Sequence, residues 1–168
     1  MKGRISYKKA LKWCKSNGKE LTNVCYSLMK HEGVVPQFYY DSKSNLTFGI
    51  GHNCRANKLN QLQYDIIASG DFDSCMRLAF RLLEFDTLQC EIDLANIFPK
   101  FDDFYPERQD ALVEMMFQLG YGSFSGFKRM IKAIKQDDWE TAYKEAKNSK
   151  WYREYESRAS EVIEGFKE

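Results

Sequence analysis

Three residues with the side chains of a glycan-cutting site fall close together. Glu32 is followed nine positions later by Asp41, and Thr47 comes six positions after that. A carboxylic acid on one side of a sugar linkage can protonate the leaving oxygen. A carboxylate and a hydroxyl on the other side can hold and activate a water. That division of labour is the inverting form of glycoside hydrolysis, which wants roughly 6.5–9.5 Å between the two carboxyl groups.

The elements that must position them are legible around them. Leu21, Val24, Cys25, Leu28 and Met29 recur at the spacing of one buried helical face. Glu32 continues that face: eleven positions after Leu21, at about 100° per residue, the rotation returns to within roughly 20°. Its carboxyl is therefore expected to face apolar surroundings, which favour the protonated form a general acid uses. Gly33 is expected to supply a left-handed helix stop. The period then changes. Phe38 to Tyr40 and Leu46 to Ile50 are aromatic and β-branched runs flanking Asp41-Ser42-Lys43-Ser44-Asn45, a hairpin with a polar turn. Asp41 opens the turn and Thr47 lies on the returning strand. Plainer roles exist for each: a solvated charge at a helix end for Glu32, and an Asx-turn acceptor for Asp41.

The run from Lys30 to His52 resembles the active-site segment of the phage-type lysozymes, glycoside hydrolase family 24, with Glu32, Asp41 and Thr47 on that family's catalytic positions. Ala111 to Gly120 is similar to the central helix of the family's C-terminal lobe. Ser149-Lys150-Trp151-Tyr152, with Arg158 seven residues after Trp151, is similar to its closing segment. The resemblance covers roughly residues 21–166. It implies that Glu32 is the general acid, that Asp41 orients and activates water shared with Thr47, and that Arg158 pairs with Glu32. It implies a structural pair between His52 and an aspartate on a long helix, with Asp71 and Asp86 as candidates and spacing favouring Asp86. It further implies substrate contacts from His52, Phe117, Gln118 and Trp151. The implied activity is hydrolysis of the β-1,4 bond between N-acetylmuramic acid and N-acetylglucosamine, with bacterial lysis as its consequence. Glu114 stands where the family commonly has Asn. A glycan-binding protein that does not cut, a transglycosylase and a chitin-directed enzyme are the rival readings; Asp41 and Thr47 argue for hydrolysis.

Composition agrees with an enzyme domain. A chain of 168 residues with 43% apolar content can bury one or two cores. No window approaches the roughly 20 continuous apolar residues of a membrane span. The amino terminus lacks the apolar segment of a secretory signal, so synthesis in the cytoplasm and later release to the wall are expected. The five cysteines, Cys14, Cys25, Cys54, Cys75 and Cys90, form no close-spaced pairs, and reduced thiols are expected. The two histidines lack ligands at i+3 or i+4, so no metal is expected, and no cofactor either. Residues 1–19 hold seven Lys and Arg and no acid, while the remainder has 18 basic against 24 acidic residues. Such an arm suits an anionic wall or membrane surface; a helix packed on the domain is the alternative. Nucleic acid is not an expected partner, since the acidic body repels phosphate, and a monomer is expected.

The fold expected is α+β and mostly helical, a lysozyme-like arrangement of two lobes joined by a long helix. Residues 1–19 form the basic extension and 20–168 the catalytic domain, with a small hairpin lobe near 33–70 and a helical lobe near 98–168. Leu62, Ile66 and Ile67 predict a short helix ended by Gly70. Asp73 or Ser74 is expected to cap a long helix running from Met76 through Phe80, Leu83, Leu88 and Ile92 to Phe98-Pro99. Pro106 should open the next helix and Gly120 close it. Further helices are expected near Phe127–Lys135, Trp139–Lys147 and Ser157–Phe166.

Overall fold

The computed structural model describes residues 3–167; Met1, Lys2 and Glu168, at the ends of the expected arm and helical lobe, lie outside the described residues. The fold is mostly helical with one small antiparallel sheet, in two compact units, Met1–Asp86 and Thr87–Glu168. Among the described residues no helix is long and apolar enough to cross a membrane.

In the first unit, α1 (Tyr7–Ser16) starts where the Ser6 hydroxyl accepts the Lys9 N–H. Its apolar side is packed. Ala10 and Cys14 are buried, the Trp13 ring stacks on Phe80 at 5.5 Å, and the indole N–H donates to Asp73. Helix α2 (Asn23–Glu32) begins two residues later than the apolar period suggests. The Thr22 hydroxyl accepts the Cys25 N–H and sets the start, leaving Leu21 outside the helix while Val24, Cys25, Leu28 and Met29 form its buried face.

The expected hairpin is the core of a three-stranded sheet. Strands β1 (Val35–Tyr40) and β2 (Leu46–Gly49) pair with Tyr39 opposite Thr47 and Tyr40 opposite Leu46. A short β3 (His52–Asn53) returns against β2, placing Phe48 opposite His52. Side chains alternate across the pleat, so Phe48 enters the core with Leu59, Ile67, Leu78 and Leu82 while Thr47 faces the other side. Helix α3 (Gln61–Ser69) carries a reciprocal cap between Asn60 and Gln63 and ends at Gly70, as its apolar spacing predicts. Helix α4 (Phe72–Ile97) is capped neither by Asp73 nor by Ser74: Asp71 accepts the Ser74 N–H at 2.9 Å. Met76, Phe80 and Leu83 are buried along it, but Leu88 and Ile92 are exposed, so the apolar period overstates its buried face.

In the second unit, α5 (Pro106–Phe124) opens on Pro106 and leaves helical geometry at Gly120. The expected stop at Gly120 is a kink, since Phe124, fully buried, draws another helical turn into the core beyond it. Helices α6 (Lys128–Lys135), α7 (Trp139–Lys147), α8 (Lys150–Glu154) and α9 (Glu156–Glu164) complete the unit. Trp139 sits edge-on between Phe104 at 5.0 Å and Phe166 at 5.6 Å, over a core that includes Leu112, Met115, Ile134 and Ile163.

Candidate active site

Glu32 is the last residue of α2 and is half-buried, so the desolvation expected from the helical period is partial. The chain leaves the helix at Gly33, whose N–H still donates to Met29 O. Its φ of 74° and ψ of 176° are not the left-handed helical stop expected; they belong to an extended region open essentially to glycine alone. The helix therefore ends by passing straight into β1, which brings the sheet close behind the acid.

Asp41 is built into the turn between β1 and β2. One carboxyl oxygen accepts the backbone N–H of Lys43 and of Asn45, each at 2.8 Å, and the other accepts the Asn45 amide at 3.1 Å. Burial pushes the carboxyl up, but the donors of Asn45 and Lys43 and the Lys43 charge outweigh it and hold Asp41 below the usual carboxylate range. Asp41 thus fills the Asx-turn role. The turn keeps Asp41 ionised, and Oδ2, with one protein donor against Oδ1's two, has room for another.

Thr47 is buried, and its hydroxyl donates to the Asn45 carbonyl at 3.0 Å. With that hydrogen committed, Thr47 Oγ1 can only accept from a further partner. Tyr39, a residue the spacing argument passes over, lies opposite Thr47 in the strand register. Its phenol is pushed up to about 12 by burial, by the Glu32 charge and by Asp41, against a Gly51 backbone hydrogen bond and Arg4. One phenol therefore senses both carboxyls, so the Glu32 and Asp41 charges both lie within electrostatic reach of Tyr39. The cross-strand register, once the hairpin is drawn, is the signal that would have found Tyr39.

His52 is buried at 3% exposure, with Nδ1 2.7 Å from Asp86 Oδ2 and Nε2 3.0 Å from the Asn57 carbonyl oxygen. Asp86 is thus the partner, and Asp71 is a helix cap. Both nitrogens of the buried ring are therefore engaged within the first unit. Trp151 is likewise inside its unit, 3% exposed, its indole N–H donating to Gln118 Oε1 at 3.0 Å and its ring edge-on to Phe127. It holds Gln118 in place and does not present a face to solvent. Phe117 and Gln118 are half-buried on α5, with the Gln118 amide N–H₂ directed elsewhere than Trp151. Arg158 Nη2 lies 3.9 Å from Glu114 Oε2, and both side chains are largely buried. The carboxylate at position 114 is therefore matched by a cation in its own unit.

Residues 29–167 match the family described as Phage lysozyme. The chain is 32% identical over 148 residues to the pre-baseplate central spike protein Gp5 of Enterobacteria phage T4, an alignment covering 80% of this chain and 26% of that one. It thus spans about a quarter of the spike protein's length. It is 28% identical over 153 residues to probable T4-type lysozyme 2 of Dictyostelium discoideum, covering 80% of this chain and 88% of the relative. Probable T4-type lysozyme 1 of the same organism is 26% identical over 154 residues, with 79% and 86% covered.

Proposed function

The chain belongs to the phage lysozyme family, which makes it a lysozyme-type glycoside hydrolase, and we propose that it cuts the β-1,4 bond between N-acetylmuramic acid and N-acetylglucosamine in peptidoglycan with inversion. The observation that carries this reading is the turn holding Asp41 and Thr47. Asp41 is kept ionised by Asn45 and Lys43, and Thr47 Oγ1, its hydrogen given to Asn45 O, is an acceptor only. A water seated between them donates one hydrogen to Asp41 and the other to Thr47, and so presents a lone pair to the anomeric carbon. Attack forms the new C–O bond as Glu32 gives its proton to the departing glycosidic oxygen, and Asp41 takes the proton shed by the water. A single displacement from the face opposite the leaving group inverts the anomeric centre.

Tyr39 stays a neutral phenol throughout, since its pKa of about 12 lies far above neutrality. It adds no charge to the surroundings of the two carboxyls. Phe117 and the free amide hydrogens of Gln118 are the proposed glycan contacts of the second unit. The basic face of α1, with exposed Lys8, Lys9, Lys12 and Lys15, is the proposed attachment to an anionic wall or membrane surface, on which the protein acts as a monomer after release from the cytoplasm. A transglycosylase has no use for a water held by a carboxylate and a hydroxyl, so the turn favours hydrolysis.

The test is mass spectrometry of purified peptidoglycan digested by the wild type and by Glu32→Gln. Reducing muropeptides ending in muramic acid, from the wild type alone, are expected. Anhydro products would make the enzyme a transglycosylase. No product from either protein would leave a glycan-binding role in place of a hydrolase.

A further inference from the structure

The residues before α1 are attached to the chain just behind the acid. The Ile5 N–H donates to Val34 O at 2.8 Å and the two residues form an antiparallel bridge, with Ile5 buried. The bridge sets the register of its neighbours. Gly3 lies against the Gln37 side chain, whose Nε2 is 2.7 Å from where a Cβ on Gly3 would be. Arg4 lies against Gly33: a Cβ built on Gly33 would meet Arg4 Nε, with Nη2 at 2.7 Å and Cζ at 2.8 Å. The guanidinium thus fills the space a side chain at position 33 would take, beside the residue that follows the acid. Gly33 is required twice over, by its backbone angles and by the arginine packed on it.

Arg4 is held there without being neutralised. It is exposed, and it makes no hydrogen bond or ion pair with any other described residue. Its charge reaches the phenol of Tyr39, the same phenol that senses Glu32 and Asp41. A guanidinium lying over the Gly33 backbone, next in the chain to Glu32, and facing solvent is a planar fork of donors open to a planar anion. A carboxylate fits that fork through two parallel N–H···O bonds. In the proposed substrate the glycan itself is uncharged, whereas the peptide stems on its muramic acid residues carry free carboxylates. We propose that Arg4 forms a carboxylate-binding subsite through which the N-terminal segment reads the peptide stem of the strand being cut. The inference rests on the reading of Glu32 as the acid of a peptidoglycan hydrolase, and it assigns to residues ahead of the family match a part in choosing the substrate.

The experiment measures kcat/KM of the full chain and of Arg4→Ala and Arg4→Lys on two substrates. One is soluble stem-bearing glycan with its carboxylates free; the other is the same material with those carboxylates converted to methylamides. The wild type should prefer the free form by about fivefold, the worth of one exposed bidentate pair at about 1 kcal/mol. Arg4→Ala should lose that preference while cutting the methylamide form as well as the wild type does. Arg4→Lys, a point charge without the fork, should keep only part of it. Equal losses on both substrates would make Arg4 a structural prop for Gly33 and overturn the proposal, as would no loss on either. A displaced pH profile with unchanged preference would make it a tuner of the acid, again overturning it. A wild type inactive on both materials would fail the hydrolase reading itself and the subsite with it. Circular-dichroism melts of the three proteins should coincide, since the side chain is exposed.

Discussion

Replacing Asp110 by Asn should stabilise the second unit near neutral pH and do nothing near pH 3. Asp110 sits on α5, half-buried, and its pKa is raised from 3.8 to about 6 by burial first and then by the charges of Glu114, Glu107 and Glu91. A shift of that size corresponds to about 3 kcal/mol at 1.36 kcal/mol per unit. Solvent reaches part of the carboxyl, so screening brings the expected figure to about 1–2 kcal/mol. The folded state holds this proton more tightly than the unfolded chain. The stabilisation from protonated Asp110 is therefore complete below about pH 4 and is lost as pH rises toward 6, above which the ionised group is a constant liability. Asn keeps the shape and never ionises. Urea denaturation of wild type and Asp110→Asn at pH 3.5, 5, 6 and 7.5 should show a gap that opens across this window and then levels off. A gap independent of pH, or one that opens only above pH 7, would refute the electrostatic account of Asp110.

Thr47→Val keeps the volume but removes the water acceptor, while the Asn45 carbonyl still accepts the Asp41 N–H at 3.0 Å; kcat should fall on the order of 10²-fold with KM little changed, measured on soluble muropeptide strands. Asp41→Asn should lose less than Glu32→Gln in the same assay, because Thr47 still holds the water when its activating charge is gone. Asn45→Ala removes the amide donor 3.1 Å from Asp41, so the Asp41 pKa should rise and the acid limb of the kcat/KM profile should move to higher pH. Asp86→Ala leaves buried His52 without the carboxylate 2.7 Å away. It should cost about 3 kcal/mol in chemical denaturation, with turnover preserved at temperatures where the protein stays folded.

The three residues proposed for catalysis could be placed on their elements from the sequence because each is held by structure local to it. A ten-residue helix with its own cap ends at Glu32, and Asp41 and Thr47 are joined by a turn that closes through hydrogen bonds among Asp41, Lys43, Ser44 and Asn45. Periodicity of 3.6 followed by a switch to alternation is enough to draw those pieces. Periodicity says less about residues whose surroundings come from distant chain. Trp151 reads as a sugar-stacking aromatic, yet it is buried because Phe127 and Gln118 close around it from other helices. For His52 the spacing already favours Asp86, 34 residues on, as the partner of one nitrogen, but the Asn57 carbonyl at the other has no signal in the sequence. Leu88 and Ile92 keep the apolar period of α4 while standing in solvent.

Arg4 is the extreme case. In the sequence it is one of seven cations in a basic arm, and the arm's net charge suggests diffuse attraction to a polyanion. The Ile5–Val34 bridge changes the meaning of that single charge, because pairing two short extended segments fixes which residue lands on Gly33. A shift of one residue would turn the arginine to the opposite face. Charge composition, then, could predict that the amino-terminal segment meets an anion; only the register of one bridge could say that one of its cations does so beside the acid. Lengthening the segment by a residue between Arg4 and Ile5 separates the two effects. It preserves the net charge of the arm and the bridge at Ile5, and it moves the guanidinium off Gly33. The preference for free carboxylates should disappear in that variant while binding to intact walls persists, and retention of the preference would mean that the arm acts through its charge alone.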